Sequence, residues 1–416
     1  MSADTAPASH DRRLVVWLSL GQLITWGSVF YGFALLMEPV EQELHISRAQ
    51  SSLAFSLALL AEGLLAFPVG RLIDRGHERR VMTGGSVLVA VALLLHSAIG
   101  SLAAFYAVWT LLGVGMAATL YAPVFAVVTR RYPQDFRRAI ITLTFLGGLA
   151  STVFIPLTSW LIHAWGWRHA LWVLAGIQVL VCVPLHAHWL KGAPGPRPSG
   201  AAAAHSPAQK VDDRSLRQHL RSTPFWLIGL FMVLMAGITS SLPAHMISLL
   251  RESGLGEFWV VIIPSAIGAF QVLGRLLLYF FEHHFDVHLA NRLIPLLIPV
   301  GVATLLAGGG HGPMALVFVF LYGLGNGMNT IVKGTAIAQY VSRTHVASLN
   351  GALGVPQAAA RAVAPLMLGL LWSRDAGYTH GLWVLMLAGF GAVAALWMAQ
   401  RLSGHLGHRD PSTTGG

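Results

Sequence analysis

Charge is what this chain lacks. Of its 416 residues only 11% are Asp, Glu, Lys or Arg, 55% are hydrophobic, and the mean hydropathy is +0.63. Soluble domains carry about 25% charged residues because their surface faces water. A chain this long with so few charges cannot cover a water-facing surface, so lipid must be its outer solvent. Cysteine is nearly absent: Cys182 stands alone, which excludes an intramolecular disulfide. No cleavable signal peptide is expected, because Met1 to Arg13 is polar and the apolar stretch after it is too long for a signal h-region. Acids are scarcer than bases, 17 against 27, for a formal charge of +10. The bases fall in short breaks between apolar runs, as a membrane topology signal does, so no nucleic-acid partner is expected. The 19 histidines show no metal-ligand spacing beyond His186 with His188 and His283 with His284. Neither a metal nor a cofactor is expected.

What is present is apolar sequence in span-length pieces. Crossing the hydrocarbon core takes about 20 mainly apolar residues. Candidates are 14–38, 50–70, 81–99, 102–129, 139–163 and 168–190, then 224–250, 257–281, 292–308, 312–341, 346–373 and 379–401. The organisation expected is a cytoplasmic tail 1–13, a six-helix bundle 14–190, a linker 191–222, a second six-helix bundle 223–401 and a tail 402–416. The linker core, APGPRPSGAAAAHSPAQ, is small and Pro-rich, and the basic run after it suits a short surface helix.

Lys and Arg in short loops set orientation. With the N-terminus inside, 20 basic residues fall on cytoplasmic segments and four outside (Arg48, Arg168, Arg251 and Arg374), leaving three of the 27 within spans. Both termini are therefore expected in the cytoplasm. The halves also read as repeats. Leu112-Gly113-Val114-Gly115 parallels Tyr322-Gly323-Leu324-Gly325 at an offset of 210, and Pro156 parallels Pro365 at 209.

The segment Gly70-Arg71-Leu72-Ile73-Asp74-Arg75-Gly76-His77-Glu78-Arg79-Arg80, between the second and third spans, resembles the signature loop of the major facilitator superfamily, G-x-x-x-D-R-x-G-R-[KR]. Gly70, Asp74, Arg75, Arg79 and Arg80 take the motif positions, while Glu78 intrudes. A glycine at a span end admits a close neighbour, and an Asp beside bases can make a charge-assisted latch. The resemblance implies a gating loop of Gly70, Arg71, Asp74, Arg75, Arg79 and Arg80, with Asp74 the key acid. It also implies an all-α membrane fold of twelve helices in two pseudo-symmetric six-helix bundles, working by alternating access. Trp165-Gly166-Trp167-Arg168 is common in the superfamily as architecture. The equivalent loop of the second half, near Tyr279 to His288, lacks the signature.

Ionisable groups at mid-span are costly and normally face a cavity or a partner. This chain has four: Glu62, Arg275, Lys333 and Arg361. Three cations against one acid favour an anionic substrate, since a carboxylate accepts bidentate hydrogen bonds from Arg. The pair Gln271-x-x-x-Arg275 is similar to that of the monocarboxylate and oxalate/formate branch, whose proton-coupled members carry an acid where Gln271 stands. That resemblance implies a carboxylate clamp of Arg275 and Arg361; Lys333, from its mid-span charge, and Gln271 are further substrate-binding candidates. Glu62 maps onto Gln271 at an offset of 209 and is the candidate proton-coupling group. Tyr31 and Tyr121 offer hydroxyls to an anion, and His245 is a weaker candidate at a span end.

The reading is a secondary active transporter of a small organic anion, coupled to protons or working by exchange. It is expected in the plasma membrane, the inner membrane of a bacterium, as a monomer. A drug or metalloid efflux carrier of the same fold is the alternative. A transport-incompetent sensor or an intramembrane enzyme is remote: Glu62 is the one mid-span acid, so no catalytic carboxylate pair exists and no catalytic residue is expected.

Overall fold

The computed structural model describes residues 8–132, 136–192, 213–281, 286–308, 312–342 and 345–406. The linker core 193–212 and the two chain ends lie outside the described residues, as do Arg197, Lys210, Arg343, Arg409, His283 and His284. The described residues are helical apart from turns and one isolated bridge between Ser373 and Gly377. Helices suit lipid because each satisfies its own backbone hydrogen bonds where no water is available.

Among the described residues, ten helical stretches are long and apolar enough to cross a membrane. Two of them, Arg48–His96 and Ala139–Trp189, run 49 and 51 residues, about twice what a bilayer requires. Each contains a glycine with positive φ, Gly76 at 87° and Gly166 at 81°, a conformation that side chains with a Cβ resist. Divided there, the ten stretches make the twelve expected helices. These are α1 (Arg13–Leu44), α2 (Arg48–Leu72), α3 (Glu78–His96), α4 (Leu102–Arg131), α5 (139–165) and α6 (167–189). The second set is α7 (Thr223–Glu252), α8 (Glu257–Phe281), α9 (His288–Gly308), α10 (Gly312–Tyr340), α11 (Val346–Leu370) and α12 (Thr379–Leu406). A short helix, Asp213–Leu220, precedes α7.

The chain divides into two compact units. Unit 1 holds Met1–Ser199 with Pro243–Ser248 and Glu257–Ala269; unit 2 holds Gly200–Leu242, Leu249–Gly256 and Phe270–Gly416. In unit 1 a stacked pair, Phe33 and Phe55 (4.5 Å between ring centroids), meets the edge of Trp109 and forms part of the buried interior. Large apolar side chains such as Leu64, Phe67, Leu180 and Val355 are exposed, which is stable only against lipid.

Close helix approaches recur at the spacing of the sequence repeat. A Cβ on Gly27 would lie 2.2 Å from Phe154, and one on Gly237 3.2 Å from Ala364. Both the glycines and their partners are 210 residues apart. Gly115 against Val89 and Gly325 against Ile298 repeat the pattern for α4 on α3 and α10 on α9. Small residues at such crossings let helices gain dispersion contacts that lipid would otherwise supply.

Candidate functional site

In unit 2 the three mid-span cations sit on three helices: Arg275 on α8, Lys333 on α10 and Arg361 on α11, all half-buried. Lys333 and Arg361 lie within electrostatic range of each other. No mid-span acid belongs to this unit; its described acids, Asp213, Glu252, Asp286 and Asp375, stand at helix ends and in loops. Lys333 makes no ion pair among the described residues. One turn before it, on the same face of α10, Asn329 is 0% exposed, and neither amide atom has a hydrogen-bond partner among the described residues. A buried unsatisfied amide costs about 1–3 kcal/mol, and a ligand or water that bonds it would recover that cost. Sequence reasoning passed over Asn329; its spacing from Lys333 was the available signal.

The placement of Arg361 has a backbone cause. Pro365 has no N–H to donate to the Arg361 carbonyl, and Ser240 Oγ of α7 donates to it instead at 3.1 Å. The crossing at Gly237, where α11 presents Ala360 and Ala364, brings α7 close enough for that bond. Gln271 is buried on α8, and its carbonyl oxygen lies 2.1 Å from where a Cβ on Gly327 would be. Only glycine lets α8 and α10 approach there.

In unit 1 the aromatic candidates gather around a wide turn. Residues Trp26–Tyr31 of α1 form a π-helical segment, a distortion frequent at functional sites. Tyr31 packs on Phe30 (5.4 Å), and Trp26 lies 5.0 Å from Tyr121 at the restart of α4. The indole N–H of Trp26 is buried without a hydrogen-bond acceptor among the described residues, another polar group the sequence did not suggest. α4 breaks at Leu120 (φ −78°, ψ −162°) because Pro123 cannot bond the Thr119 carbonyl; Gln22 Nε2 donates to that oxygen at 2.6 Å. Glu62 is half-buried on α2.

The loop resembling a family signature contains a buried acid other than Asp74. Asp74 is exposed and makes no ion pair among the described residues. Glu78 is 0% exposed at the start of α3; Arg131 Nε donates to it at 2.6 Å and Arg130 Nη1 lies 3.7 Å away. The acid that interrupts the motif is therefore the one the end of α4 neutralises. Arg79 Nε donates to the Ala187 carbonyl at 2.7 Å, and Arg71 lies over the Phe67 ring. Arg75 and Arg80 are exposed. A Cβ on Gly70 would meet nothing within 4 Å, so the close approach expected of that glycine is not present.

At the opposite end of unit 1, Arg168 stacks over Trp167 (4.4 Å) and hydrogen-bonds Glu43 and the carbonyls of Ser97 and Ile99. The Trp-Gly-Trp-Arg segment thus serves architecture, with Gly166 making the turn. His245 is buried with Nε2 3.3 Å from Ser52 Oγ. His186 Nδ1 is 2.8 Å from Ser86 Oγ, and no group of three metal-ligating side chains occurs among the described residues.

The comparisons accord with this geometry. The family described as Major Facilitator Superfamily matches residues 18–365. The 2-nitroimidazole transporter of Escherichia coli (strain K12) is 25% identical over 415 residues, covering 96% of this chain and 97% of that protein. Monocarboxylate transporter 12-B of Danio rerio is 23% identical over 389 residues, 86% of this chain and 80% of that one. An uncharacterized MFS-type transporter, YcxA of Bacillus subtilis (strain 168), is 23% identical over 247 residues; that match spans only 59% of the relative. Among solved structures, the nucleoside transporter NupG aligns with a TM-score of 0.70 at 12% identity, over 94% of this chain and 99% of that one.

Proposed function

This chain belongs to the Major Facilitator Superfamily, and we propose that it is a secondary active transporter that carries a small organic anion, a carboxylate, across the inner membrane. The observation that carries this reading is the charge of unit 2: three mid-span cations with no mid-span acid in the same unit. Arg275 and Arg361 hold the carboxylate through charge-assisted hydrogen bonds, Lys333 adds a point charge, and the Asn329 amide supplies a neutral donor. Gln271 borders them on α8. Tyr31 and Tyr121 belong to the substrate path through unit 1, and Glu62 carries the coupled proton. The loop from Gly70 to Arg80 gates, with Glu78 its buried anchor. Both termini face the cytoplasm, and the monomer is the working unit.

A second reading has its own support. The full-length relative whose name specifies 2-nitroimidazole suggests a neutral nitroaromatic as cargo, and the Trp26, Phe30 and Tyr121 rings offer faces to stack on. Proteoliposome uptake of short carboxylates and of 2-nitroimidazole, in wild type, Arg361→Ala and Glu62→Gln, separates the two. Carboxylate uptake lost in Arg361→Ala, and freed from the pH gradient in Glu62→Gln, supports the first reading. Nitroimidazole transport that survives Arg361→Ala, with no carboxylate uptake in wild type, overturns it.

A further inference from the structure

A cavity of about 740 Å³ opens at the basic end of unit 1, between the start of α3 and the end of α6. Three cations, Arg79, Arg80 and Lys191, line it, and no acid does. Its walls are tied in place. Arg79 Nε holds the Ala187 carbonyl at 2.7 Å, and Arg131 Nη2 donates to the Lys191 carbonyl at 3.3 Å while its Nε bonds Glu78. Glu78 is thus engaged behind the wall and leaves the basic face uncompensated. The Thr83 hydroxyl, also in the lining, is buried and has no hydrogen-bond partner among the described residues. Gly84 has no side chain to fill the opening, with nothing within 4 Å of where its Cβ would lie.

Beyond Gly84 the same face of α3 carries Val87, Val91 and Leu95, all exposed, at the three- and four-residue spacing of one helix stripe. At 1.5 Å per residue the track from Gly84 to Leu95 extends roughly 16 Å, about half the hydrocarbon thickness, or one leaflet. A basic cup continuous with a one-leaflet apolar track matches a molecule with a phosphate at one end and acyl chains at the other. We propose that this cavity binds the phosphate of an anionic phospholipid, with an acyl chain along Val87, Val91 and Leu95. Because the cup is built on the loop between α2 and α3, the bound lipid braces that loop.

The test uses the full chain in detergent with three probes: phosphatidylglycerol, phosphatidylcholine of the same acyl chains, and inorganic phosphate. Native mass spectrometry counts retained lipid, and thermal unfolding reads stabilisation. Phosphatidylglycerol is expected to be retained and to raise the midpoint, phosphatidylcholine and phosphate to do neither. In the Arg80→Gln/Lys191→Gln double variant, apparent affinity for phosphatidylglycerol should fall about thirtyfold, from two lost charges near the surface, and return in Arg80→Lys/Lys191→Arg. Equal stabilisation by phosphatidylcholine, or unchanged retention in the double variant, overturns the site. An equal shift from inorganic phosphate overturns the lipid assignment.

Discussion

α4 and α10 occupy corresponding places in the two repeats and are built in opposite ways. In α4, Pro123 breaks the helix at Leu120, and Gln22 donates to the Thr119 carbonyl that the break exposes. In α10, 210 residues on from Thr119 and Pro123, stand Asn329 and Lys333, and the helix runs unbroken from Gly312 to Tyr340. One repeat uses its polar capacity there to repair its own backbone. The other keeps the backbone intact and leaves a buried amide without a hydrogen-bond partner among the described residues, one turn before Lys333. Gln22 Nε2 serves the fold, although its own Oε1 has no partner among the described residues; a buried amide with neither atom bonded, as at Asn329, is where a ligand has most to gain.

The widest effect expected from this contrast is at Asn329. If its amide is held for substrate, Asn329→Leu should abolish uptake while leaving the protein as stable as wild type or more so. It removes an unsatisfied group costing about 1–3 kcal/mol. Thermal unfolding in detergent and proteoliposome uptake, run on one preparation, check both halves. A fall in midpoint of matching size would mean the amide had a structural partner, and the contrast between α4 and α10 would collapse.

The fold was legible where composition and spacing carry it. The Gly repeat at an offset of 210 marked real crossings, since Gly113, Gly115 and Gly325 all face neighbouring helices, and the structure adds the pair Gly27 and Gly237 at the same offset. The twelve expected spans correspond to ten stretches because helical bonding continues past Gly76 and Gly166, a local matter of φ that hydropathy does not record. Of the candidate site, only the residue types were legible. Mid-span charge singled out Arg275, Lys333 and Arg361, but a polar side chain reads the same whether or not it is bonded, so Asn329 and Trp26 passed unnoticed. Glu78 looked like noise in a motif because its burial depends on Arg130 and Arg131, more than 50 residues away in the chain.

Glycine substitutions test whether the repeats pack alike. A Cβ on Gly327 would lie 2.1 Å from the Gln271 carbonyl oxygen, and one on Gly113 2.2 Å from that of Ala58. Both obstacles are backbone, so a helix must shift, at about 1–3 kcal/mol. Gly327→Ala and Gly113→Ala should lower the unfolding midpoint similarly. Gly70→Ala meets open space and should stabilise by about 0.5–1 kcal/mol through helix propensity. A loss confined to one half would break the equivalence.

Smaller effects are expected at the two carbonyls exposed by proline. Gln22→Ala and Ser240→Ala should each cost about 1 kcal/mol. The cost should largely vanish when Pro123→Ala or Pro365→Ala returns an N–H to the Thr119 or Arg361 carbonyl. Double-mutant cycles in thermal unfolding measure that coupling. No coupling in either pair would show that the side chain is not replacing the missing helix bond.

The smallest effect concerns how each unit secures its basic end. Unit 1 uses charge, Glu78 with Arg130 and Arg131. Unit 2 uses mostly neutral bonds around the Tyr340 hydroxyl, which accepts from Asn291 at 2.9 Å and Gln400 at 3.1 Å. Its short helix Asp213–Leu220 brings His219 to 5.7 Å from His345. Burial, and then the positive charge His345 can carry, hold the His219 pKa below its ordinary value of 6.5. The unfolded chain therefore takes up the proton first as pH falls. The stability His219 contributes is complete above pH 6.5 and declines below it, until the folded-state pKa is passed. His219→Gln should flatten the dependence of the unfolding midpoint between pH 7 and pH 5, by a small margin because the ring is partly exposed. Hydrogen exchange should place the change in Asp213–Leu220 and the start of α11. A steeper dependence in the variant would mean that protonation tightens this end instead, and that both units rely on charge there.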